Sequence, residues 1–194
     1  MGKKQINDNT AVIMTQELYQ KAMKFAGEKH SEQKVPGTKA NYLLHISNVT
    51  MEVLMAYNFD NTFDLDFAIQ IAILHDTIED TTTDFDEIKN QFSESIALAV
   101  QALTKREELP SKEERMMDSL TRINTLQKEV GLVKIADRIT NLQTPPDHWS
   151  KIKIINYCNE AKLISNTLSN KNTYLNQRLV SKITEYENKI PSFS

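Results

Sequence analysis

The chain has 194 residues, 40% of them hydrophobic and 25% charged, with a net charge of −3. That length suits one good core better than two large domains, and the absence of a Lys/Arg cluster interleaved with aromatics argues against a nucleic-acid partner. No apolar run approaches the roughly 18 residues of a membrane span, the first ten residues carry no apolar signal core, and a single cysteine, Cys158, excludes an intramolecular disulfide, so a cytoplasmic protein without membrane contact is expected.

Four glycines and five prolines are few for a turn-rich β architecture. Apolar residues instead recur at helical spacing along most of the chain. Residues 14–30 place Leu18, Ala22, Phe25 and Ala26 on one stripe, and residues 41–57 do the same with Leu44, Val49, Val53, Leu54 and Ala56. Residues 65–79 read as one nearly all-apolar helix at the centre of a bundle. Asp84 with Glu87 and Ser111 with Glu114 fit the capping-box pattern, which starts helices near 85 and 112. Segments 93–104, 130–142, 150–168 and 171–189 complete the set. Pro145 and Pro146 stop one helix before the next, and His148 with Trp149 fits a packed helix start. The expectation is an all-α, single-domain helical bundle of about eight or nine helices over 1–194. Its core spans about 14–190, and residues 1–10 are expected to be flexible.

The stretch "AILHDTIEDTTT", from Ala72 to Thr83, concentrates charge directly after an apolar run. Residues four apart share a helix face, so His75 with Glu79 and Asp76 with Asp80 form two neighbouring columns. Unpaired ionised groups are costly to bury, and a metal ion would compensate them. Two other apolar segments offer partners: His45 in "YLLHISNV" and Asp137 in "LVKIADRITNL". Two imidazoles and two carboxylates from three helices suit Mn²⁺, Fe²⁺ or Zn²⁺. Without cysteine ligands, a closed structural zinc site is disfavoured.

The order His45, His75-Asp76, Asp137 resembles the HD superfamily of metal-dependent phosphohydrolases. Glu79-Asp80 and "VKIADRITNL" resemble its alarmone hydrolase branch, the RelA/SpoT hydrolase domains and the small stand-alone hydrolases. The similarity runs from about Tyr19 to Tyr186. It implies an HD-type bundle in which His45, His75, Asp76 and Asp137 hold a divalent metal, usually Mn²⁺. Glu79 and Asp80 are then the catalytic pair that handles the attacking water and the leaving group. Asn141 and Thr144 match nucleotide contacts, with Tyr157 near the ligand. Several anionic oxygens need neutralising, which makes Lys105, in the "LTK" that matches the family, and Arg106, Lys134 and Arg138 candidate phosphate partners. The implied reaction removes pyrophosphate from the 3′ position of guanosine polyphosphate alarmones (ppGpp and pppGpp), a small-molecule substrate. The oligomeric state is not implied.

The chain also departs from that pattern. Where alarmone hydrolases carry an Arg-Lys pair, it reads "QKVPGTKA", with Val35-Pro36 at the expected pair and Lys34 the nearest cation left for substrate. Gln143 stands where an arginine is frequent. Two other readings therefore stay open: an HD phosphohydrolase for another nucleotide or phosphorylated metabolite, and a metal-retaining nucleotide-binding module without turnover.

Overall fold

The computed structural model describes residues 8–146 and 148–189, with side chains from Met14 onward. The described residues form nine helices of seven residues or more and one single-turn helix, with no strand. In chain order these are α1 (Asp8–Lys29), α2 (Leu43–Phe59), α3 (Leu65–Leu74), α4 (Thr77–Asp80) and α5 (Phe85–Gln91). They continue with α6 (Glu94–Leu103), α7 (Lys112–Asn124), α8 (Lys128–Asn141), α9 (Lys151–Leu168) and α10 (Thr173–Glu187). Of the expected flexible segment, residues 1–7 lie outside the described residues, and α1 is already under way at Asp8.

Two helices form the centre. In α3 every residue from Ala68 to Leu74 is buried, because its sequence is apolar on all sides and α1, α2, α6 and α8 enclose it. In α8 every residue from Glu129 to Thr140 is buried, charged ones included, and α2, α3, α6, α7, α9 and α10 surround it. A helix so enclosed keeps charged side chains only where partners meet them. At its start Glu129 accepts the backbone N–H of Asp64, the N-cap of α3. At its end Lys134, Asp137 and Arg138 gather on the polar side of the molecule.

Local signals set most boundaries. Asp64, Asp84, Ser93, Ser111, Ser150 and Asn172 each accept a backbone N–H of the first turn they precede. Among these six, Ser111 with Glu114 alone completes a reciprocal capping box. At Asp84 half of the box forms, because the Glu87 carboxylate is drawn to Lys29, 2.8 Å away on α1. The expected continuous helix 65–79 is divided at His75-Asp76. There the His75 Nδ1–H donates to Ala72 O at 2.8 Å, and the Thr77 hydroxyl donates to Leu74 O at 2.7 Å. Side chains thus occupy carbonyls that a continuing helix would use, which is how such residues compete with the helical ladder. Asp76 falls at φ −101°, ψ 0°, the sparsely allowed bridge region where active-site residues are common.

Between α1 and α2 the chain makes a small hairpin. Lys34 and Asn41 pair as an isolated antiparallel bridge. Its tip is a turn in which Thr38 N–H donates to Val35 O, with Gly37 at φ +77°. Proline followed by a residue at positive φ is the type II turn, and glycine fills the second position without strain. Leu132, fully buried on α8, tests the packing of the core. Leu132→Ala should lower the unfolding free energy by about 2–5 kcal/mol, read as a fall in the urea midpoint at unchanged slope.

Candidate metal and active site

The break after α3 aims the His75 ring inward. Because Ala72 O can only accept, Nδ1 carries the proton and Nε2 offers a lone pair. That Nε2 lies 3.3 Å from His45 Nε2 on α2 and 2.9 Å from Asp76 Oδ2. His45 Nε2 lies 3.6 Å from Asp76 Oδ2 and 3.4 Å from Asp137 Oδ1, with His75 Nε2 at 3.8 Å from the latter. Metal–nitrogen and metal–oxygen bonds of about 2.0–2.2 Å put neighbouring ligands of one ion roughly 3–3.5 Å apart, so this spacing fits a divalent cation. Ligand atoms of His45, His75 and Asp137 all lie within 4.8 Å of one another, and Asp76 completes a two-nitrogen, two-oxygen set. Such a set suits a divalent transition metal.

A second layer holds the carboxylates. The Tyr42 hydroxyl donates to Asp76 Oδ2 at 2.5 Å, and its own pKa is pushed far up by burial and then by Asp76. Asn141 Nδ2 donates to Asp137 Oδ1, and Lys134 Nζ to Asp137 Oδ2 at 3.3 Å. These partners fix ligand orientation, as surrounding hydrogen bonds do in metal sites generally. Asn141, expected only as a nucleotide contact, therefore also steadies a ligand. Tyr42 was missed as a site residue, although its place one helical turn before His45 was a usable signal.

The acidic pair lies at the edge of this cluster, on the single turn α4. Glu79 Oε2 accepts the Lys105 backbone N–H at 3.0 Å, with Lys105 Nζ 3.6 Å from Oε1. Asp80 Oδ2 accepts from Gln33 Nε2 at 2.8 Å. Tyr42, Asp76, Glu79, Asp80, Lys105, Lys134, Asp137, Arg138, Asn141, Tyr157 and Glu160 line one polar cleft of about 170 Å³. Arg138 is buried there, its guanidinium 4.4 Å from the Tyr157 ring and 3.2 Å from Glu160.

A second, largely apolar cavity of about 380 Å³ adjoins it, and Asn141 and Tyr157 belong to both. Val35, Pro36, Leu44, Pro145, Pro146 and Trp149 supply its greasy wall, with Thr38, Asn48, Gln143 and Thr144 as polar points. Thr144 thus faces this cavity, where Lys189 also reaches its hydroxyl. Trp149 packs as a helix start should, edge-on against Tyr157 at 5.3 Å, and it lines the cavity as well. Lys34 is exposed on the hairpin and is not among the residues lining either space. Arg106 pairs with Asp118 away from the cleft.

Residues 22–171 match the HD domain family. The chain belongs to the HD domain family. Every expected metal ligand of this HD-domain protein falls inside the matched span. It is 30% identical to the guanosine-3′,5′-bis(diphosphate) 3′-pyrophosphohydrolase MESH1 of Danio rerio, over 88% of this chain and 92% of that one. It is 36% identical to the guanosine-3′,5′-bis(diphosphate) 3′-pyrophosphohydrolase of Aquifex aeolicus, over 66% of this chain but 18% of that much longer protein. A solved structure described as a metazoan ortholog of SpoT that hydrolyses ppGpp superposes with a TM-score of 0.73 at 22% identity. It covers 87% of this chain and 94% of its own, a likeness of fold.

The cluster's electrostatics generate a test. Burial alone would lower the His45 pKa, but hydrogen bonds with Asp137 and Asp76 outweigh it and lift it from 6.5 to about 9. For His75, burial pulls down and Asp76 pushes up, and the net shift is upward. Burial would raise both carboxylates, yet His75 and His45 hold Asp76, and Lys134 and His45 hold Asp137, below the usual range. Raised imidazoles stabilise the metal-free fold fully below pH 6.5 and lose that contribution as pH climbs through 9. Depressed carboxylates contribute above pH 3.8 and lose it as pH falls. Metal-free protein should accordingly be most stable between pH 3.8 and 6.5. A cation must displace imidazole protons, so its apparent affinity should rise about tenfold per pH unit between 7 and 9 for each proton released. Calorimetric Mn²⁺ titrations in buffers of different ionisation enthalpy measure this, with His75→Ala as the variant expected not to bind. A pH-independent affinity, or full metal in His75→Ala, would overturn the ligand assignment.

Proposed function

We propose that this HD-domain protein is a cytoplasmic, Mn²⁺-dependent hydrolase that removes pyrophosphate from the 3′ position of guanosine polyphosphate alarmones. The observation that carries the reading is the pairing of two cavities across a common wall. One is polar and holds Asp76 and Asp137, the acidic pair and three cations. The other is apolar and falls in the size range of small-molecule pockets, about 300–1,000 Å³. A nucleotide with its base in the second and its 3′-diphosphate in the first would pass between Asn141 and Tyr157, which line both. The activities for which the Danio rerio and Aquifex aeolicus relatives are named support the same substrate.

His45, His75, Asp76 and Asp137 would hold the cation, which supplies Lewis acidity and lowers the pKa of a bound water when present. The chain's own groups do the rest. Lys105, Lys134 and Arg138 face the cleft and offset phosphate charge; each is now paired with a carboxylate, which a phosphate group would share or displace. Glu79 and Asp80 take the proton of the attacking water and return one as the bond between the ribose 3′ oxygen and phosphorus breaks. Tyr42, Asn141 and Lys134 keep the ligand carboxylates in place. Release of pyrophosphate or phosphate from a nucleotide panel with Mn²⁺, Mg²⁺ and Zn²⁺ tests the whole reading, and no metal-dependent release from any member would leave only a binding module.

Loss of a general acid or base costs about 10²–10⁴ in rate. Glu79→Gln should retain metal and slow turnover at least a hundredfold; near-normal kcat would demote it to a surface charge. The hairpin yields a separate expectation. Val35 and Pro36 give the base an apolar wall but no guanidinium, and a cation–π contact contributes roughly 0.5–2 kcal/mol. Guanosine and adenosine 3′-diphosphates should therefore differ in kcat/KM by less than about thirtyfold. A larger preference for guanine would assign discrimination to the polar points of that cavity, Thr38, Asn48, Gln143 and Thr144.

A further inference from the structure

His30 is buried to 99% at the end of α1, yet it touches none of the four metal-ligand side chains' donor atoms. Its ring lies 5.0 Å from that of Tyr42. Its Nδ1 is 2.5 Å from Gln33 Oε1, and the other end of the same amide, Nε2, donates to Asp80 Oδ2 at 2.8 Å. Among the described residues the buried Nε2 of His30 meets no partner.

These contacts fix one another's direction. A carboxylate only accepts, so Gln33 must present its NH₂ to Asp80 and its carbonyl oxygen to His30. A carbonyl oxygen also only accepts, so His30 Nδ1 must carry a hydrogen. A flipped amide would set oxygen against the Asp80 carboxylate and NH₂ against the Nδ1 hydrogen, losing both bonds. The three groups therefore satisfy one another in one arrangement, in which the Nδ1–H tautomer of His30 locks the amide face that Asp80 selects. The unpartnered Nε2 agrees with this tautomer, since a bare lone pair is less costly to bury than an orphaned N–H.

The backbone around His30 is equally constrained. Its N–H donates to Ala26 O, and its carbonyl accepts from Gln33 N–H and from Asn41 Nδ2. Asp80 is the opposite case: it is exposed at the end of a single-turn helix, where a short side chain would otherwise sample several rotamers. It lines the polar cleft, and Gln33 is its side chain's one hydrogen-bond partner among the described residues.

We infer that His30 is a positioning residue for Asp80, acting through the Gln33 amide to hold one carboxylate oxygen and leave the other for the reacting water. The inference rests on Asp80 being one of the acidic pair proposed above. The same short segment then orients both columns after α3, because Tyr42 holds Asp76 as Gln33 holds Asp80.

The test uses Mn²⁺-loaded full-length protein and the guanosine 3′-diphosphate substrate. His30→Phe keeps a ring against Tyr42 and removes the Nδ1 donor; Gln33→Leu removes the link. Each should lower kcat about tenfold with KM, metal content and melting temperature little changed, and the double variant should be no slower than either alone. His30→Asn, whose amide N–H falls near the Nδ1 position, should recover most of the loss. Additive losses, or a rise in KM with unchanged kcat, would mean the two residues act separately and would overturn the inference. Asp80→Asn separates the two readings. If it turns over normally, the proposed role of Asp80 fails; if it is slow while His30→Phe is not, only the positioning role fails. Nitrogen-15 NMR of the histidine rings judges the link even without turnover, with Nδ1–H expected for His30 and Nε2–H overturning it.

Discussion

Everything in this fold turns on keeping two imidazoles each within 4 Å of two carboxylates inside an apolar bundle. Desolvating such groups singly is prohibitive. Together, with a cation between them and outer hydrogen bonds around them, they become tolerable. The three elements that supply them cannot shift independently without separating charges that no longer see water. That explains why α3 and α8 are the most enclosed helices: rigidity there holds donor atoms at coordination distance. Their apolar length is the counterpart of the charge at their polar ends.

The break in the helix at His75-Asp76 serves the same constraint. An uninterrupted helix would spend its backbone N–H groups on Ala72 O and Leu74 O and leave His75 Nδ1 without an acceptor. Division frees Ala72 O to fix the imidazole tautomer and swings Asp76 toward both rings. The cost of a bridge-region residue is small beside that of a misdirected ligand.

Much of this was legible from residue order. Periodicity located most helices to within a few residues, though α1 starts well before residue 14 and the helix expected over 65–79 is divided, and Ser111 with Glu114 marked α7 because that box is entirely local. His45, His75, Asp76 and Asp137 stood out because polar residues in apolar helices need a reason. What sequence could not carry was tertiary. Nothing local says that Lys29 takes Glu87 from its box, that His75 donates to Ala72, or that Tyr42 reaches Asp76. Trp149 read as packing, and packing it is, but only the approach of α2, α9 and the Pro145–Pro146 segment makes its face a cavity wall. Lys34 read as the remaining cation of its loop, whereas the alternation of the hairpin turns it outward and puts Val35 inward.

The Val35–Thr38 turn therefore stands apart from the chemistry in a useful way. It lines the apolar cavity, whose wall also includes His45 of the cluster, and its own conformation is fixed locally by Pro36 and Gly37. On the proposed reading, changes at its tip would alter the wall that a base meets, while Asp76, Asp137 and the acidic pair lie outside that cavity. Such a division would give evolution a separable dial: on that reading substrate identity could drift along one short loop while the clustered side chains stay anchored at the ends of the buried helices.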